Sequence, residues 1–186
     1  MKRGFDILFS VVLGVILLPV AFCVAIAIWM SDPGPVIFWS KRVGQMNILF
    51  NMPKFRTMKI DTPQLPTHKM VNPEQWIISI GSFLRSTSLD EIPQLWSIFL
   101  GKMSVVGPRP ALFNQDDLVK LRTEHAVEKL RPGLTGWAQI NGRDNLSIFE
   151  KVEFDAYYVK HQSFLFDLKI LVRTFLYVLS NRDVAH

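Results

Sequence analysis

Between Ile7 and Met30 the chain carries no charged residue, and across these 24 positions only Ser10, Gly14 and Pro19 interrupt an apolar run. About 20 apolar residues cross the hydrocarbon core of a bilayer as a helix, so the segment is long enough to be a membrane element. A cleaved secretory signal has an apolar core of roughly 7–15 residues before a small-residue cleavage site, and this run is longer; it is read as retained. Cys23, the one cysteine, raises the question of a lipoprotein signal, but Phe22 precedes it where such signals carry a small residue. A single cysteine also excludes a disulfide framework, a CxxC redox pair and a Cys-rich zinc site.

The flanks of the run bear on how it meets a membrane. Lys2 and Arg3 precede it, and Lys41, Arg42, Lys54, Arg56 and Lys59 follow with no acid between Lys41 and Lys59. Lys and Arg mark the cytoplasmic side, and here both flanks qualify. Pro19 stands near the middle, where a missing backbone donor bends a helix. These residues fit a kinked span and a hairpin that enters and leaves on one face equally well.

The remainder reads as a globular body. The 49% hydrophobic content is too high for a disordered chain. The breakers at residues 30–35 end the membrane helix. Residues 36–39 read as a strand with a turn at 41–44, residues 48–50 and 54–58 as further strand pieces, and residues 61–74 as a loop. Residues 77–84 begin helically, and Ile92, Leu95, Trp96, Phe99 and Leu100 fall at helical spacing. Residues 116–130, 152–158 and 165–179 are further helices; the last is apolar round most of its circumference, which suits a core or a membrane face.

The motifs narrow the chemistry. There is no GxxxxGK[ST] loop, no GxGxxG turn, no Asp-x-Asp pair, and no HxH or HExxH among four histidines. Asp90 and Glu91 follow Arg85 closely. Asp90 as a helix N-cap, with Pro93 in the first turn, explains both residues without chemistry. The same helix start would also hold a carboxylate ionised and attract phosphate. An ionised Asp attacks phosphorus, a neighbouring Glu serves as base or metal ligand, and Arg85 offers a fork to phosphate oxygens. In residues 54–58 Lys54, Arg56 and Met58 share one face of a strand, the bland reading being a solvated face. Arg109, between Pro108 and Pro110, is either a solvated side chain on a stiff loop or one pre-positioned for phosphate. Gln139, Asn141 and Arg143 lie in a Gly-rich stretch that permits close ligand approach, or is an ordinary connection.

Taken in order, residues 54–58, 85–91, Pro93-Gln94, Gly101-x-Met-Ser104, 106–110, Arg131-Pro-Gly133, Gly136-x-x-Gln139, Asn141-Gly-Arg143 and Asp155-x-Tyr-Tyr158 resemble the signature of the bacterial sugar transferases, the monotopic phosphoglycosyl transferases. The match covers nearly the whole chain, and with no large N-terminal extension in this sequence it is to the minimal form. The resemblance implies an α+β monotopic membrane protein. Residues 1–30 would form a re-entrant helix-break-helix bent at Pro19, and residues 31–186 a cytosolic-face catalytic domain with a small sheet among amphipathic helices. The family's break is usually Ser-Pro; here it is Leu18-Pro19. The implied reaction moves a sugar 1-phosphate from a UDP-sugar, in small members mostly an N-acetylated amino sugar, to undecaprenyl phosphate. UMP is released, at the cytoplasmic face of the bacterial inner membrane, as the first membrane step of glycoconjugate assembly. By the same resemblance Asp90 is the nucleophile and Glu91 its partner, both near Mg2+. Lys54 and Arg85 bind phosphate, and Arg109, Gln139 and Arg143 contact substrate or nucleotide.

The net charge of +5 keeps a rival in view: a membrane-anchored basic module that binds nucleic acid or anionic lipid without catalysis, with steeply salt-dependent affinity. It has no use for Asp90 and Glu91 beside Arg85, and the reading here is an enzyme with the bilayer as partner and no nucleic acid. A polytopic transferase would need several apolar runs, and only one is seen. Self-association into a homo-oligomer is open.

Overall fold

The structure, a computed structural model, describes residues 2–62, 72–142 and 145–179. The apolar run forms α1 (Lys2–Ser31), a helix continuous through Pro19, so the break expected there between two helices is not seen: the proline's ring is accommodated within one unbroken helix. It is the one helix among the described residues long and apolar enough to cross a membrane. At 1.5 Å per residue such a helix is about 45 Å long. One face, Phe5, Phe9, Leu13 and Leu17 and then Ala21, Val24, Ala25 and Ile28, packs on the rest of the chain at helical spacing. The opposite face, with Leu8, Val15, Ile16, Leu18, Phe22 and Met30, is bare.

Both ends of α1 are fastened to the same body. Near its start Lys2 pairs with Asp167 at 2.5 Å. Arg3 donates to the carbonyls of Ile98 and Phe99 at 2.6 Å each. Asp6, buried, accepts from Ser104 Oγ and the Val105 amide at 3.0 and 2.9 Å. At the other end Val24 and Ile28 pack with Phe55, Ile78 and Leu84, and Asp32 accepts from Arg56 at 2.8 Å.

Strands β1 (Ile37–Val43) and β2 (Leu49–Phe55) form an antiparallel hairpin running from Ile37 opposite Phe55 to Val43 opposite Leu49. The first strand thus runs through the segment read as a turn, and the two later strand pieces are one strand that ends before Arg56. The bend falls at residues 45–47, where Met46 and Asn47 adopt positive φ. Helices α2 (Gly81–Ser86) and α3 (Gln94–Phe99) follow. Strand β3 (Ser104–Val106) pairs in parallel with β4 (Gly133–Thr135), so the described residues hold two two-stranded sheets rather than one small sheet. A Cβ on Gly133 or Gly136 would collide with the Gly107 backbone, so the glycines of this stretch serve the close approach of two chain segments.

The remaining helices are α4 (Asp116–Glu124), α5 (Trp137–Ile140), α6 (Ile148–His161) and α7 (Phe164–Leu179). The helix read over residues 116–130 breaks at Ala126, where φ is +58°, and ends as a 3-10 turn. A Ser147–Glu150 capping box starts α6. Met52, Leu95, Ile98, Met103, Val105, Val106, Tyr158 and Ile170 form the main core. Against it α7 presents Phe166, Ile170 and Leu171, while Phe164, Leu165, Leu168, Val172, Phe175 and Leu176 stay exposed. With Trp96 and Phe99, stacked at 5.7 Å and exposed, these residues and the bare face of α1 give the molecule an unusually apolar surface.

Candidate active site

Asp90 and Glu91 sit in a 3-10 turn, Leu89–Glu91, between α2 and α3. Ser88 precedes them in the left-handed region at φ 57°, uncommon for a residue with a side chain. Asp90 is not a helix N-cap: α3 begins at Gln94 with Pro93 at its start and no capping side chain. The expected help from a helix terminus is therefore absent. Cations from β2 and from the loop after β3 stand in its place. Lys54 Nζ lies 2.9 Å from Glu91 Oε1 and 3.3 Å from Asp90 Oδ2. Arg109 Nη1 lies 3.4 Å from Glu91 Oε1.

Asp90 is only 5% exposed. Burial pushes its carboxyl above the ordinary Asp range, Lys54 pulls it down, and the neighbouring Glu91 pushes it up again. Its second oxygen, Oδ1, is buried without a hydrogen-bond partner among the described residues. An orphan carboxylate oxygen beside Glu91 suits Mg2+, which is commonly held by one or two carboxylates and the phosphates of its substrate. These two side chains would hold it.

Of the other cations predicted for the site, Arg85 is half-buried and its Nε donates to Thr57 Oγ1 at 3.0 Å. Burial weighs against its charge, while Asp90 favours it. Arg56 turns away: it is buried on Asp32 at the exit of α1 and is structural. Lys54 and Arg56 thus serve different ends, and neither is on a solvated face. Asn141 donates to the Trp137 carbonyl at 2.7 Å and finishes α5. Arg143 lies outside the described residues.

The loop carrying Arg109 is held from behind, which the sequence pattern did not reveal. Arg122 of α4 donates to the Arg109 carbonyl at 2.8 Å, while its Nε and Nη2 bond Asp155 Oδ2 of α6 at 2.9 and 2.6 Å. Asp155 is buried, and burial raises its pKa against the pull of Arg122. Arg42 of β1 donates to the next carbonyl, Pro110, at 3.2 Å.

Glu91, Arg109 and Ser88 line a cavity of about 330 Å³. Its other walls are Phe9, Leu13 and Leu17 of α1, Ile92 and Leu95 of the α3 region, and Leu171, Thr174 and Phe175 of α7, with Thr135, Gln139 and Ile140 between. One cavity therefore joins charged groups to the helix read as a membrane element. The lining positions Leu13, Leu17 and Thr174 carry no motif; they would have been visible only as apolar or small residues on helix faces.

The site is a buried carboxylate pair held by Lys54 and Arg109, on a cavity that reaches the long apolar helix, and comparison with known proteins supplies the class. A family model described as bacterial sugar transferase matches residues 1–181, and the chain belongs to that family. It is 38% identical over 181 residues to the UDP-glucose:undecaprenyl-phosphate glucose-1-phosphate transferase of Escherichia coli (strain K12), covering 94% of this chain and 39% of that protein. To the undecaprenyl-phosphate galactose phosphotransferase of Salmonella typhimurium (strain LT2) it is 34% identical over 205 residues, covering 100% of this chain and 42% of the relative. To the exopolysaccharide production protein ExoY of Rhizobium meliloti it is 37% identical over 190 residues, covering 93% and 83%. The chain thus spans about two-fifths of the length of the two named transferases.

Proposed function

We propose that the chain transfers a sugar 1-phosphate from a UDP-sugar to undecaprenyl phosphate, releasing UMP, at the cytoplasmic face of the bacterial inner membrane. The observation that carries this reading is the cavity that runs from Glu91 and Arg109 to the packed faces of α1 and α7. A water-soluble diphosphate suits one end of it and an isoprenoid the other.

In the first half-reaction an ionised Asp90 oxygen attacks the sugar-bearing phosphorus. The bond from that phosphorus to the oxygen of UMP breaks, and UMP takes the electron pair. In the second, an oxygen of undecaprenyl phosphate attacks the same phosphorus and the aspartyl oxygen leaves, restoring Asp90. Lys54, Arg85 and Arg109 offset phosphate charge as it shifts, and Glu91 shares Lys54 and Arg109 with the nucleophile. Mg2+ bound at Asp90 and Glu91 would supply charge neutralisation on the phosphate oxygens.

For α1 the reading is a re-entrant element with both ends cytoplasmic. It is supported by the fastening of both ends to one body and by the basic flanks. Pro19 removes the backbone donor where a bend would form. Relatives are named for glucose and for galactose; an N-acetylated amino sugar is the donor that the resemblance favours.

The test is a donor screen. Detergent-solubilised protein is mixed with undecaprenyl phosphate, Mg2+ and, one at a time, the UDP derivatives of glucose, galactose, N-acetylglucosamine and N-acetylgalactosamine. UMP release is measured with and without EDTA. Lipid-dependent UMP release with one donor, abolished by EDTA, is expected. No release with any donor overturns the reading; full activity in EDTA removes Mg2+ from it.

A further inference from the structure

Gln139, on the four-residue helix α5, is 8% exposed and lines the cavity shared with Glu91 and Arg109. Neither its Nε2 nor its Oε1 has a hydrogen-bond partner among the described residues. A buried polar group left unpaired is costly, so an amide with both atoms unpaired on a cavity wall is explained by a ligand that pairs them. Beside it on that wall Thr135 Oγ1 and Thr174 Oγ1 hydrogen-bond each other at 2.7 Å. Apart from Ser88, Glu91, Arg109 and Tyr177 the remaining walls are apolar, and this polar stripe is of no use to a hydrocarbon chain.

We infer that Gln139 reads a pair of neighbouring hydroxyls on the sugar being transferred. The inference rests on the transferase reading and deepens it. A primary amide offers a donor and an acceptor side by side, and adjacent hydroxyls can both accept and donate. An ionised phosphate offers acceptors only and would leave Oε1 unpaired. The imide edge of uracil also offers both, but UMP returns to water after the first half-reaction. The sugar stays on phosphorus through both halves and departs on the lipid. It therefore belongs in the cavity whose walls are the packed faces of α1 and α7.

The experiment uses the solubilised 186-residue chain, its best donor from the screen, and that donor's monodeoxy analogues. Gln139→Leu removes the hydrogen bonds at similar size and relieves the unpaired burial, so its Tm stays equal or rises; Gln139→Met, equally unable to pair, is the second variant should Leu lower it. Wild type should prefer the parent sugar over one or two of its monodeoxy analogues by on the order of 10- to 100-fold in kcat/KM, and the variant should lose that preference. Inhibition by UMP should be unchanged. A variant that keeps the wild-type ratio between parent and every deoxy donor overturns the inference, as does a loss of UMP inhibition, which would put uracil on the amide. A wild-type protein that turns over no UDP-sugar overturns the transferase reading itself, and the inference with it.

Discussion

A carboxylate that attacks phosphorus must be ionised, and Asp90 is placed where ionisation is costly. Its pKa is raised by burial first, with Lys54 opposing and Glu91 adding to the rise. A carboxyl whose pKa in the fold lies above its unfolded value stabilises the fold while protonated and loses that contribution as pH rises through the folded value. At neutral pH ionised Asp90 therefore burdens stability, a burden that Asn lacks. Asp90→Asn should melt at the same or a higher temperature than wild type while losing turnover by a few orders of magnitude, as with other catalytic nucleophiles. In metal-free protein the Asp90 carboxyl should titrate above the ordinary Asp range, read by NMR of the carboxyl carbon, with burial the largest cause. Lys54→Met should move that titration to higher pH, because a lowering charge is gone, and Glu91→Gln should move it to lower pH, because a raising charge is gone. Shifts in the same direction would contradict this electrostatic account of Asp90.

Among the elements, α1 decides how the molecule meets lipid. Its membrane-like character was plain from composition, but which face packs was not. In a run that is apolar all round, the stripe from Phe5 to Ile28 has no polar counterpart to betray it. Asp6 stands directly before the run, yet its partners Ser104 and Val105 lie about a hundred residues away, beyond any local pattern. The Arg122–Asp155 strut behind Arg109 joins residues 33 apart on two different helices, which no local pattern shows either. Helices α6 and α7 were legible because their patterns are local. Lys54, Asp90 and Glu91 could be marked as a set by the resemblance, but the cap expected at Asp90 failed because Ser88 turns left-handed and Pro93, four residues on from Leu89, opens α3 instead. Removing the Asp6 carboxylate strands a buried Val105 amide, so Asp6→Ala should cost about 1–3 kcal/mol in detergent unfolding. Topology is tested at Gly4, where an added Cβ meets nothing within 4 Å. With Cys23 replaced by Ser, Gly4→Cys should resist a membrane-impermeant thiol reagent in intact cells and react after lysis. Labelling in intact cells would show a spanning helix.

At the scale of the whole molecule, the proposed function requires one site to serve two solvents. The bare faces of α1 and α7 and the stacked Trp96 and Phe99 suit lipid, while Lys54, Arg85 and Arg109 suit a soluble diphosphate. A covalent relay reconciles them, since donor and acceptor then never need the site together. That relay is the central claim, and intact-mass measurement of the solubilised protein tests it. With the active UDP-sugar and Mg2+ but no lipid, the mass should rise by one phosphosugar per chain. The adduct should map to Asp90, fail to form in Asp90→Asn, and disappear when undecaprenyl phosphate is added. An active protein with no adduct, or with an adduct on another residue, would contradict the account.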